Sequence, residues 1–483
     1  MTGRRLMKIR TRFAPSPTGY LHVGSLRTAL YAFLLARHGK GEFLLRIEDT
    51  DRERYVKDSD TNLIGLLEEI GLHRDNIEVV YQSKRLDTYK KYSEKLIKDG
   101  KAYYCFCSKD RLDDLRKRQA AQKFPTGYDG LCRGLSGDDV KERLKSIKPV
   151  IRLKMPKTGV CSFTDAIRGN IEFSYAGQED AVLMKSDGFP TYHLAHVIDD
   201  HDMKITHVIR GEEWLPSILK HLVLWEAFGW EKPVYAHLPL IVNPDKTKLS
   251  KRQGDVAVED YLKKGYLKDA LLNFILLLGW NPGTEKEIFS MDEMIKEFSL
   301  EKIHKSPAVF STDKLDWLNG CYIRETPINA LVDLCAPYLI KAGLVVEGEY
   351  DKNYLKKVVA LEQERLKKLS ELPEITDYFF RDVEYDTNLL VWKKQTLGEV
   401  KKILEGLFKK IETISEKQFN KENLEKEIFG YIKENGLKNG DVLWPFRVAM
   451  TAKLASPGPF EVAEALGKER VLERISNAMR KIS

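Results

Sequence analysis

The stretch Thr11–Asp51, TRFAPSPTGYLHVGSLRTALYAFLLARHGKGEFLLRIEDTD, contains the pattern that decides the fold. A short β-prone segment, Lys8–Phe13, leads into a loop, Ala14–Tyr20, that holds two prolines and a glycine. From Val23 onward apolar residues recur at intervals of three and four, which predicts a helix. The short apolar segment Glu42–Ile47 predicts a buried strand. Strand, loop, helix and strand form a βαβ unit, which predicts an α/β fold with a parallel sheet.

The loop of this unit is a candidate nucleotide-binding site. In parallel sheets ligands bind at the carboxyl ends of the strands, where a helix N-terminus presents free N–H groups. The sequence His22-Val23-Gly24-Ser25 lies at that point. The His22 imidazole can donate to a phosphate, and Gly24 lets a nucleotide approach the backbone. A histidine that only caps the helix is the alternative. The stretch contains neither GxxxxGK[ST] nor GxGxxG, which disfavours P-loop and dinucleotide-binding proteins.

Length and composition exclude several classes of protein. The chain has 483 residues, which predicts roughly two to four domains. Its net charge of +7 permits a polyanionic partner without requiring one. Six cysteines are too few for a disulfide scaffold, so we expect a cytoplasmic protein. The most apolar window, Ala270–Trp280, is shorter than the about 20 residues of a membrane span, so no membrane contact is expected.

A second candidate for phosphate binding lies more than 200 residues further on. The segment Lys246–Arg252, KTKLSKR, is a short basic loop. A basic run of this length is usually a solvated surface. A flexible lysine loop can also close over a triphosphate and stabilise the charge that develops on a leaving pyrophosphate.

Together these two segments resemble a known family. Thr11–Asp51 closely resembles the start of bacterial-type glutamyl-tRNA synthetases, which are class I enzymes. His22–Ser25 matches the HIGH motif of that class, and Lys248–Arg252 matches its KMSKS motif. Four more segments resemble the family, so that the resemblance covers nearly the whole chain: Ser186–Asp200, Thr206–Ser217, Phe310–Gly320 and Ala455–Gly467.

The resemblance implies an architecture. It consists of a Rossmann-like parallel sheet with an acceptor-binding insertion, followed by an all-α anticodon-binding region. The implied ranges are a nucleotide-binding catalytic domain at 1–98 and 199–245, a tRNA acceptor-binding insertion at 99–198, a connecting region at 246–325, and a helical anticodon-binding region at 326–483.

The resemblance also implies an activity. Glutamate would attack the α-phosphorus of ATP, with Mg²⁺ on the phosphates, and the glutamyl group would pass to the 3′ end of tRNA(Glu). Neither step needs a protein nucleophile, so the protein would position the substrates and stabilise charge. The residues that match the glutamate contacts are Arg12, Ala14, Ser16, Glu48, Tyr192, His196 and Arg210. Those that match the ATP contacts are His22, Gly24, Ser25, Glu213, Lys248 and Lys251.

Several of these residues have side chains that suit the implied roles. Arg12 can pair with a carboxylate through two hydrogen bonds, which a lysine cannot do. Glu48 matches the acid that holds the ammonium of glutamate. His22 and Lys251 match the catalytic residues of the two motifs. His196 stands where the family pattern leads us to expect asparagine. In a structural interpretation Glu48 forms a surface ion pair and Tyr192 belongs to the core.

A cysteine pattern suggests one zinc ion. Cys105 and Cys107 form a CxC pair, and Cys132 follows after 24 residues. Some family members carry a histidine two residues after the third cysteine, where this chain has Gly134. Tyr128 precedes Cys132 by four residues, as in the related glutamyl-Q enzymes, and would complete the zinc site. The alternative is three reduced cysteines without metal. The other cysteines are expected to be buried thiols: Cys161, Cys321 and Cys335.

The C-terminal third has a helical pattern of its own. A stripe of apolar residues at helical spacing predicts a helix and comprises Val400, Ile403, Leu404, Leu407, Phe408, Ile411 and Ile414. Few strand-like runs follow residue 330. This distinguishes the chain from glutaminyl-tRNA synthetases, whose anticodon region is a pair of β-barrels, and from glutamyl-Q-tRNA(Asp) synthetases, which lack the region.

Three alternatives stay open beside a monomeric glutamyl-tRNA synthetase that charges tRNA(Glu). Arg365 matches the arginine with which discriminating members read the third anticodon base, and a surface helix charge is the other interpretation of it. A non-discriminating enzyme would also charge tRNA(Gln). A catalytically idle paralogue would only bind RNA, which the presence of Glu48 and Arg210 disfavours. A different nucleotidyltransferase is disfavoured by the helical C-terminal half.

Overall fold

The N-terminal βαβ unit is present as predicted in the computed structural model, which describes residues 8–247, 249 and 257–482. Strand β1 (Arg10–Phe13), helix α1 (Val23–His38) and strand β2 (Glu42–Ile47) follow one another. The two strands pair in parallel, with Arg12 opposite Leu44. The predicted α/β fold with a parallel sheet is confirmed.

Helix α1 lies in the interior of the protein. Eleven of its 16 residues are buried, including all the positions at helical spacing that predicted it. Its C-terminal turn is closed by Gly39, whose N–H donates to the carbonyl of Leu35 at 3.1 Å. Gly41 then allows the chain to turn into β2, because a Cβ at this position would lie 1.9 Å from the carbonyl oxygen of Ile9.

The other regular elements alternate irregularly along the chain. The remaining strands are β3 (Val80–Tyr81), β4 (Ala102–Cys105), β5 (Val150–Leu153), β6 (Val160–Asp165), β7 (Gly169–Ser174), β8 (Val182–Met184), β9 (His207–Gly211), β10 (Val234–Leu238), β11 (Ile241–Val242) and β12 (Ala308–Val309). The remaining helices are α2 (Ser59–Glu69), α3 (Leu86–Lys98), α4 (Lys109–Ala121), α5 (Gly137–Leu144), α6 (Tyr192–Asp202), α7 (Leu215–Phe228), α8 (Val258–Lys263), α9 (Lys268–Leu277), α10 (Met291–Glu297), α11 (Thr312–Glu325), α12 (Ile328–Lys341), α13 (Lys352–Glu362), α14 (Leu372–Thr376), α15 (Leu397–Glu412), α16 (Lys421–Glu434), α17 (Asn439–Thr451), α18 (Pro459–Leu466) and α19 (Lys468–Lys481).

The described chain forms two compact units. Unit 1 comprises the residues up to Tyr261 together with Leu271–Thr312, and unit 2 comprises Leu262–Ala270 and the residues from Asp313 onward. No helix among the described residues is long and apolar enough to cross a bilayer.

Unit 1 contains all the strands of the described chain. Its parallel pairs are β1 with β2, β2 with β3, β9 with β10, and β11 with β12. Just before β9, the N–H of Thr206 donates to the carbonyl of Arg10 at 2.9 Å, which places β9 beside β1. An antiparallel sheet of β4, β5 and β8 and a hairpin of β6 and β7 lie between β3 and β9 in the chain. Both fall within the range predicted as an insertion.

Unit 2 is helical, as predicted. Helix α15 begins with a capping box, in which the Thr396 hydroxyl accepts from the Glu399 N–H and the Glu399 carboxylate accepts from the Thr396 N–H. Its apolar stripe faces the core of the unit, but the helix ends at Glu412, so the predicted stripe residue Ile414 joins the core from just beyond the helix. Phe408 is the one stripe residue that is only partly buried. Each buried aliphatic side chain contributes about 1.5–3 kcal/mol to stability, so this stripe fixes how α15 packs.

The expectation for the three isolated cysteines is only partly correct. Cys335 is buried, whereas Cys161 and Cys321 are half-buried. Cys161 lies on β6, where successive residues alternate between exposed and more buried positions, so a strand position alone does not bury it fully.

Candidate active site

A cavity of about 1080 Å³ opens in unit 1 at the carboxyl ends of β1, β2 and β9. The N-terminus of α1 forms another part of its wall. This is the position where ligands bind to open parallel sheets. The cavity is lined by ten of the predicted site residues: Arg12, Ala14, Ser16, His22, Gly24, Ser25, Glu48, Tyr192, Arg210 and Glu213.

The loop after β1 is fixed by backbone hydrogen bonds to the segment that follows β2. The N–H of Glu48 donates to the carbonyl of Pro15 at 2.9 Å, and the N–H of Val56 donates to the carbonyl of Pro17 at 3.0 Å. The loop thus follows the end of the strand, and the cavity wall beside Glu48 is formed by backbone held in place.

One wall of the cavity is a buried network of arginines and carboxylates. Arg12 donates through Nε to Asp200 Oδ1 at 3.1 Å. Arg46 donates through Nη1 to the same oxygen at 2.7 Å and through Nη2 to Glu48 Oε1 at 3.0 Å. Burial raises the pKa of Glu48, against the opposing effect of Arg46. Each of these charges therefore has an opposite charge in contact, and Arg12 offers a ligand only the rest of its guanidinium.

Arg210 is held in a different way, because its protein partners are all neutral. Its Nε donates to His237 Nε2 at 3.0 Å, and its Nη1 lies 3.0 Å from the hydroxyl of Tyr192 and 3.3 Å from His221 Nδ1. Its Nη2 is buried and makes no hydrogen bond within the described residues. No carboxylate of these residues forms an ion pair with Arg210. A buried cation without a counter-charge is costly, so the site favours an anionic ligand here.

Tyr192 and His196 stack on each other at the start of α6. Their ring centroids are 5.1 Å apart and the rings are inclined by 20°. Residues four apart lie above one another on a helix, so His196 lies one turn deeper than Tyr192. Its ring is completely buried and does not line the cavity. Burial lowers the pKa of His196 far below 6.5, so the ring is neutral beside the arginines.

The part of the cavity wall at the start of α1 has the features of an anion site. His22 caps α1, and its Nδ1 accepts from the N–H of Gly24 at 3.0 Å. This bond requires the neutral ring to carry its proton on Nε2, which makes Nε2 a donor. The first turn of α1 contains no acidic residue, so the positive end of the helix dipole is not compensated there. Leu249 lines this cavity, while Lys248 and Lys251 lie outside the described residues.

A cluster of three cysteines forms a second site in unit 1. The Sγ atoms of Cys105, Cys107 and Cys132 lie within 4.8 Å of one another, and those of Cys107 and Cys132 are 3.7 Å apart. The hydroxyl oxygen of Tyr128 is 3.5 Å from Cys105 Sγ and accepts from the N–H of Cys132 at 2.9 Å. The sequence prediction that brought these four residues together agrees with this arrangement.

The cysteine cluster fits a tetrahedral metal ion. Ligands at the zinc–sulfur distance of about 2.3 Å lie about 3.8 Å from each other at the corners of a tetrahedron, close to the separation of Cys107 and Cys132. Burial opposes ionisation of Cys105, yet contacts with Tyr128 and Arg152 leave its pKa below the ordinary value. Burial and the neighbouring Cys105 raise the pKa of Cys107 to about 12.

Comparisons with known proteins agree with these features. The family model described as "tRNA synthetases class I (E and Q), catalytic domain" matches residues 8–317, and the "Anticodon binding domain" model matches residues 330–479. The glutamate–tRNA ligase of Chlorobaculum parvum is 45% identical over 511 aligned positions, which cover 100% of this chain and 99% of the relative. The chain belongs to the glutamate–tRNA ligase family. The predicted family is confirmed.

Two further relatives support the family assignment. The glutamate–tRNA ligase of Clostridium botulinum is 46% identical, with 98% of this chain and 99% of the relative covered. The crystal structure of a glutamate tRNA ligase from Elizabethkingia meningosepticum in complex with its amino acid superposes with a TM-score of 0.91. That chain is 36% identical, and the match covers 99% of this chain and 100% of that one. The predicted enzyme class and fold class are therefore confirmed.

Arg365 lies in unit 2, and the structure does not agree with its interpretation as a surface helix charge. It is not on a helix, because α13 ends at Glu362 and Arg365 follows in a turn. Its Nη1 donates to Glu362 Oε2 at 3.2 Å, and its side chain is 43% exposed. The exposed part is accessible to a ligand, while the rest balances a buried carboxyl.

The residues that hold Arg12 and Arg210 in place were not predicted from the sequence. Arg46 and Asp200 link Arg12 to Glu48, and His221 and His237 hold Arg210. Arg46 carries a weak signal, since it is a charged residue inside the apolar segment that predicts β2. The histidines carry none, because one lies on α7 and the other on β10, and only the fold brings them to Arg210.

Proposed function

We propose that the chain activates L-glutamate with ATP and transfers the glutamyl group to the 3′ end of tRNA(Glu). The observation that carries this proposal is that one cavity is lined both by Arg210, a buried cation with only neutral partners, and by the acid Glu48. Such a site offers a cation to a carboxylate and an acid to an ammonium. The full-length match to relatives named glutamate–tRNA ligase supports the same substrate.

Glutamate would bind between Arg210 and the network that Arg12 and Arg46 form with carboxylates. Arg210 would bind one of its carboxylates, and Arg12 would add positive charge through the part of its guanidinium that Asp200 does not occupy. Glu48 would accept from the ammonium, with Arg46 holding its carboxylate in place. Ala14 and Ser16 would contact the ligand from the loop after β1, with Tyr192 opposite. His196 would act from behind Tyr192 by supporting its ring.

ATP would occupy the end of the cavity at α1. The Nε2–H of His22 and the helix N-terminus at Gly24 and Ser25 would bind phosphate oxygens. Glu213, exposed at the rim, would contact the nucleotide. Lys248 and Lys251 would neutralise the leaving pyrophosphate. Mg²⁺ carried by ATP would neutralise further phosphate charge. The protein would then accelerate the reaction by bringing the glutamate carboxylate to the α-phosphorus and excluding water.

The tRNA would contact both units. We assign the acceptor end to the insertion at 99–198, the nucleotide-binding domain to 1–98 and 199–245, the connecting region to 246–325 and the anticodon to 326–483. Arg365, in the last of these, is the proposed reader of the third anticodon base. The monomeric state and the cytoplasmic location stay predictions.

One zinc ion would be held in the insertion by Cys105, Cys107 and Cys132, with Tyr128 as fourth ligand. The metal would cross-link β4 to the turn that contains Cys132, where a small irregular region has little other core. Metal analysis of protein purified without chelator tests this, with one equivalent expected. A ratio near zero in protein that charges tRNA normally would leave the cysteines as reduced thiols.

Aminoacylation with radiolabelled glutamate tests the main proposal, with purified tRNA(Glu) and tRNA(Gln) in separate reactions. Charging of tRNA(Glu) alone is expected. Charging of both would keep the reaction but identify a non-discriminating enzyme and remove the role of Arg365. Charging of neither, with active control tRNAs and a normally melting protein, would refute the proposal and favour an idle RNA-binding paralogue.

A further inference from the structure

Asp165 is a buried carboxylate that contacts His237, and His237 in turn contacts Arg210 in the cavity wall. Asp165 ends β6, and its Oδ1 accepts from the backbone N–H groups of Ile167 at 3.0 Å and Arg168 at 2.9 Å. Its Oδ2 lies 2.6 Å from His237 Nδ1. Burial would raise the pKa of Asp165, but the hydrogen bonds from His237 and Arg168 hold it below the ordinary value. Asp165 is therefore ionised and can only accept.

The ionised carboxylate determines where His237 carries its proton. A neutral imidazole has one donor and one acceptor nitrogen. Since Asp165 accepts at Nδ1, the proton lies on Nδ1, and Nε2 is the acceptor. Burial lowers the pKa of His237, so the ring is neutral near pH 7. Nε2 is the atom that receives the Nε–H of Arg210 at 3.0 Å.

The sheet itself brings His237 and Arg210 together. They are register partners on the parallel pair of β9 and β10, so their side chains project from the same face. His237 is completely buried and does not line the cavity, whereas Arg210 does. A guanidinium held at Nε and Nη1 cannot rotate about its long axis, so the orientation of Arg210 in the cavity wall is fixed.

We infer that Asp165 and His237 form a positioning relay that orients Arg210 toward the carboxylate of the substrate. The relay rests on the proposed function, and it assigns to His237 a role in glutamate affinity without contact with glutamate. A carboxylate acting directly on Arg210 would neutralise the cation that the substrate needs. The imidazole transmits the orientation from Asp165 while it keeps Arg210 charged and without an ion pair.

Two substitutions of His237 separate this role from simple packing. Glutamine places an oxygen near the position of Nε2 and keeps an acceptor for Arg210. Asparagine places its amide near Nδ1, keeps a donor for Asp165 and loses that acceptor. We expect His237→Asn to raise the KM for glutamate about 10- to 100-fold, the loss of one hydrogen bond to a charged group. His237→Gln should stay within a few fold of the unchanged protein.

Asp165→Asn provides an independent test. Oδ1 can keep its backbone bonds, so the amide nitrogen replaces Oδ2 and donates to Nδ1. The proton of the imidazole then moves to Nε2, where it faces the N–H of Arg210. We expect the same rise in the KM for glutamate as for His237→Asn, with the KM for ATP and kcat at saturating glutamate changed less than threefold.

The matched control is His201→Asn. His201 also lies beside a carboxylate, that of Asp202, but His201 is not among the hydrogen-bond partners of Arg210. The KM of this variant for glutamate should not change. An equal rise in the KM for glutamate in both His237 variants, or a fall in kcat with an unchanged KM for glutamate, would overturn the relay. Glutamate binding at equilibrium is measured in parallel. If the unchanged protein binds glutamate and His237→Asn weakens that binding, the relay is supported even where no tRNA is charged. The relay and the proposed aminoacylation activity can therefore fail separately.

Discussion

Glu362 should make the stability of unit 2 depend on pH. It is the last residue of α13, and its side chain is completely buried. Its Oε2 accepts from Arg365 Nη1 at 3.2 Å, and its Oε1 makes no hydrogen bond with the described residues. Burial raises the pKa of Glu362 from 4.5 to about 7, against the opposing effect of Arg365. Above pH 7 the fold must therefore hold a buried carboxylate with one partly exposed partner.

The sign and size of the effect follow from this pKa. Between pH 4.5 and 7 the folded protein binds a proton that the unfolded chain has released, so stability falls as the pH rises. The difference of about 2.5 pKa units corresponds to about 3 kcal/mol at 1.36 kcal/mol per unit. Glu362→Gln has no such proton. We expect it to be about 3 kcal/mol more stable than the unchanged protein at pH 8, and equally stable near pH 4.5.

Urea unfolding at pH 5, 6, 7 and 8 measures this difference. Trp317, Trp392 and Trp444 report on unit 2, and hydrogen exchange of peptides from α13 assigns the transition. A stability difference that does not vary with pH, or that is larger at pH 5 than at pH 8, would refute the reasoning.

Arg365 provides the control, because its contact with Glu362 competes with its proposed role in reading the anticodon. Arg365→Ala should destabilise unit 2 at pH 8 and leave it unchanged near pH 5. In the Glu362→Gln background the same substitution should cost no stability. Any loss of discrimination between tRNA(Glu) and tRNA(Gln) in that background then belongs to recognition and not to the fold.

Three further predictions concern the proposed sites. Arg210→Gln removes a buried cation of the cavity wall whose hydrogen-bond partners are all neutral; we expect it to cost about 3–5 kcal/mol of glutamate binding, measured as a rise in KM of more than 100-fold with the KM for ATP within threefold. An equal rise in both constants would contradict the assignment. Lys251→Ala should lower kcat far more than it raises the KM for glutamate, since the lysine would act on the leaving pyrophosphate; an effect confined to KM would rule this out. Cys132→Ser should lower the zinc content measured by mass spectrometry and the melting temperature together, with Cys335→Ser as the control that keeps the metal.

The sequence predicts the parts of the fold in which neighbouring residues cooperate. The βαβ unit follows from periodicity over about 40 residues, and the helix α15 follows from one apolar stripe. The cysteine cluster was also predictable, because Cys105 and Cys107 are separated by one residue, at the end of a short strand and just beyond it. Each of these features depends on local spacing, which a single sequence displays.

The environment of Arg210 could not be predicted in the same way. His237 contacts it through a strand register, and Asp165 contacts His237 across 72 residues of chain. Nothing in the local pattern distinguishes His237 from an ordinary residue of a buried strand. His196 shows the converse error: its position in a matched segment suggested a ligand contact, but the helical repeat places it behind Tyr192.

The charges around the cavity explain why Arg12 and Arg210 need different surroundings. Arg12 contacts Asp200, and Arg46 contacts Asp200 and Glu48, so this wall is close to neutral before any ligand arrives. A carboxylate bound there gains little beyond hydrogen bonds. No described carboxylate pairs with Arg210, because its hydrogen-bond partners are two imidazole nitrogens and a phenol oxygen. Part of the free energy cost of burying the Arg210 cation is recovered when an anion binds, so the proposed site discriminates for a carboxylate at Arg210.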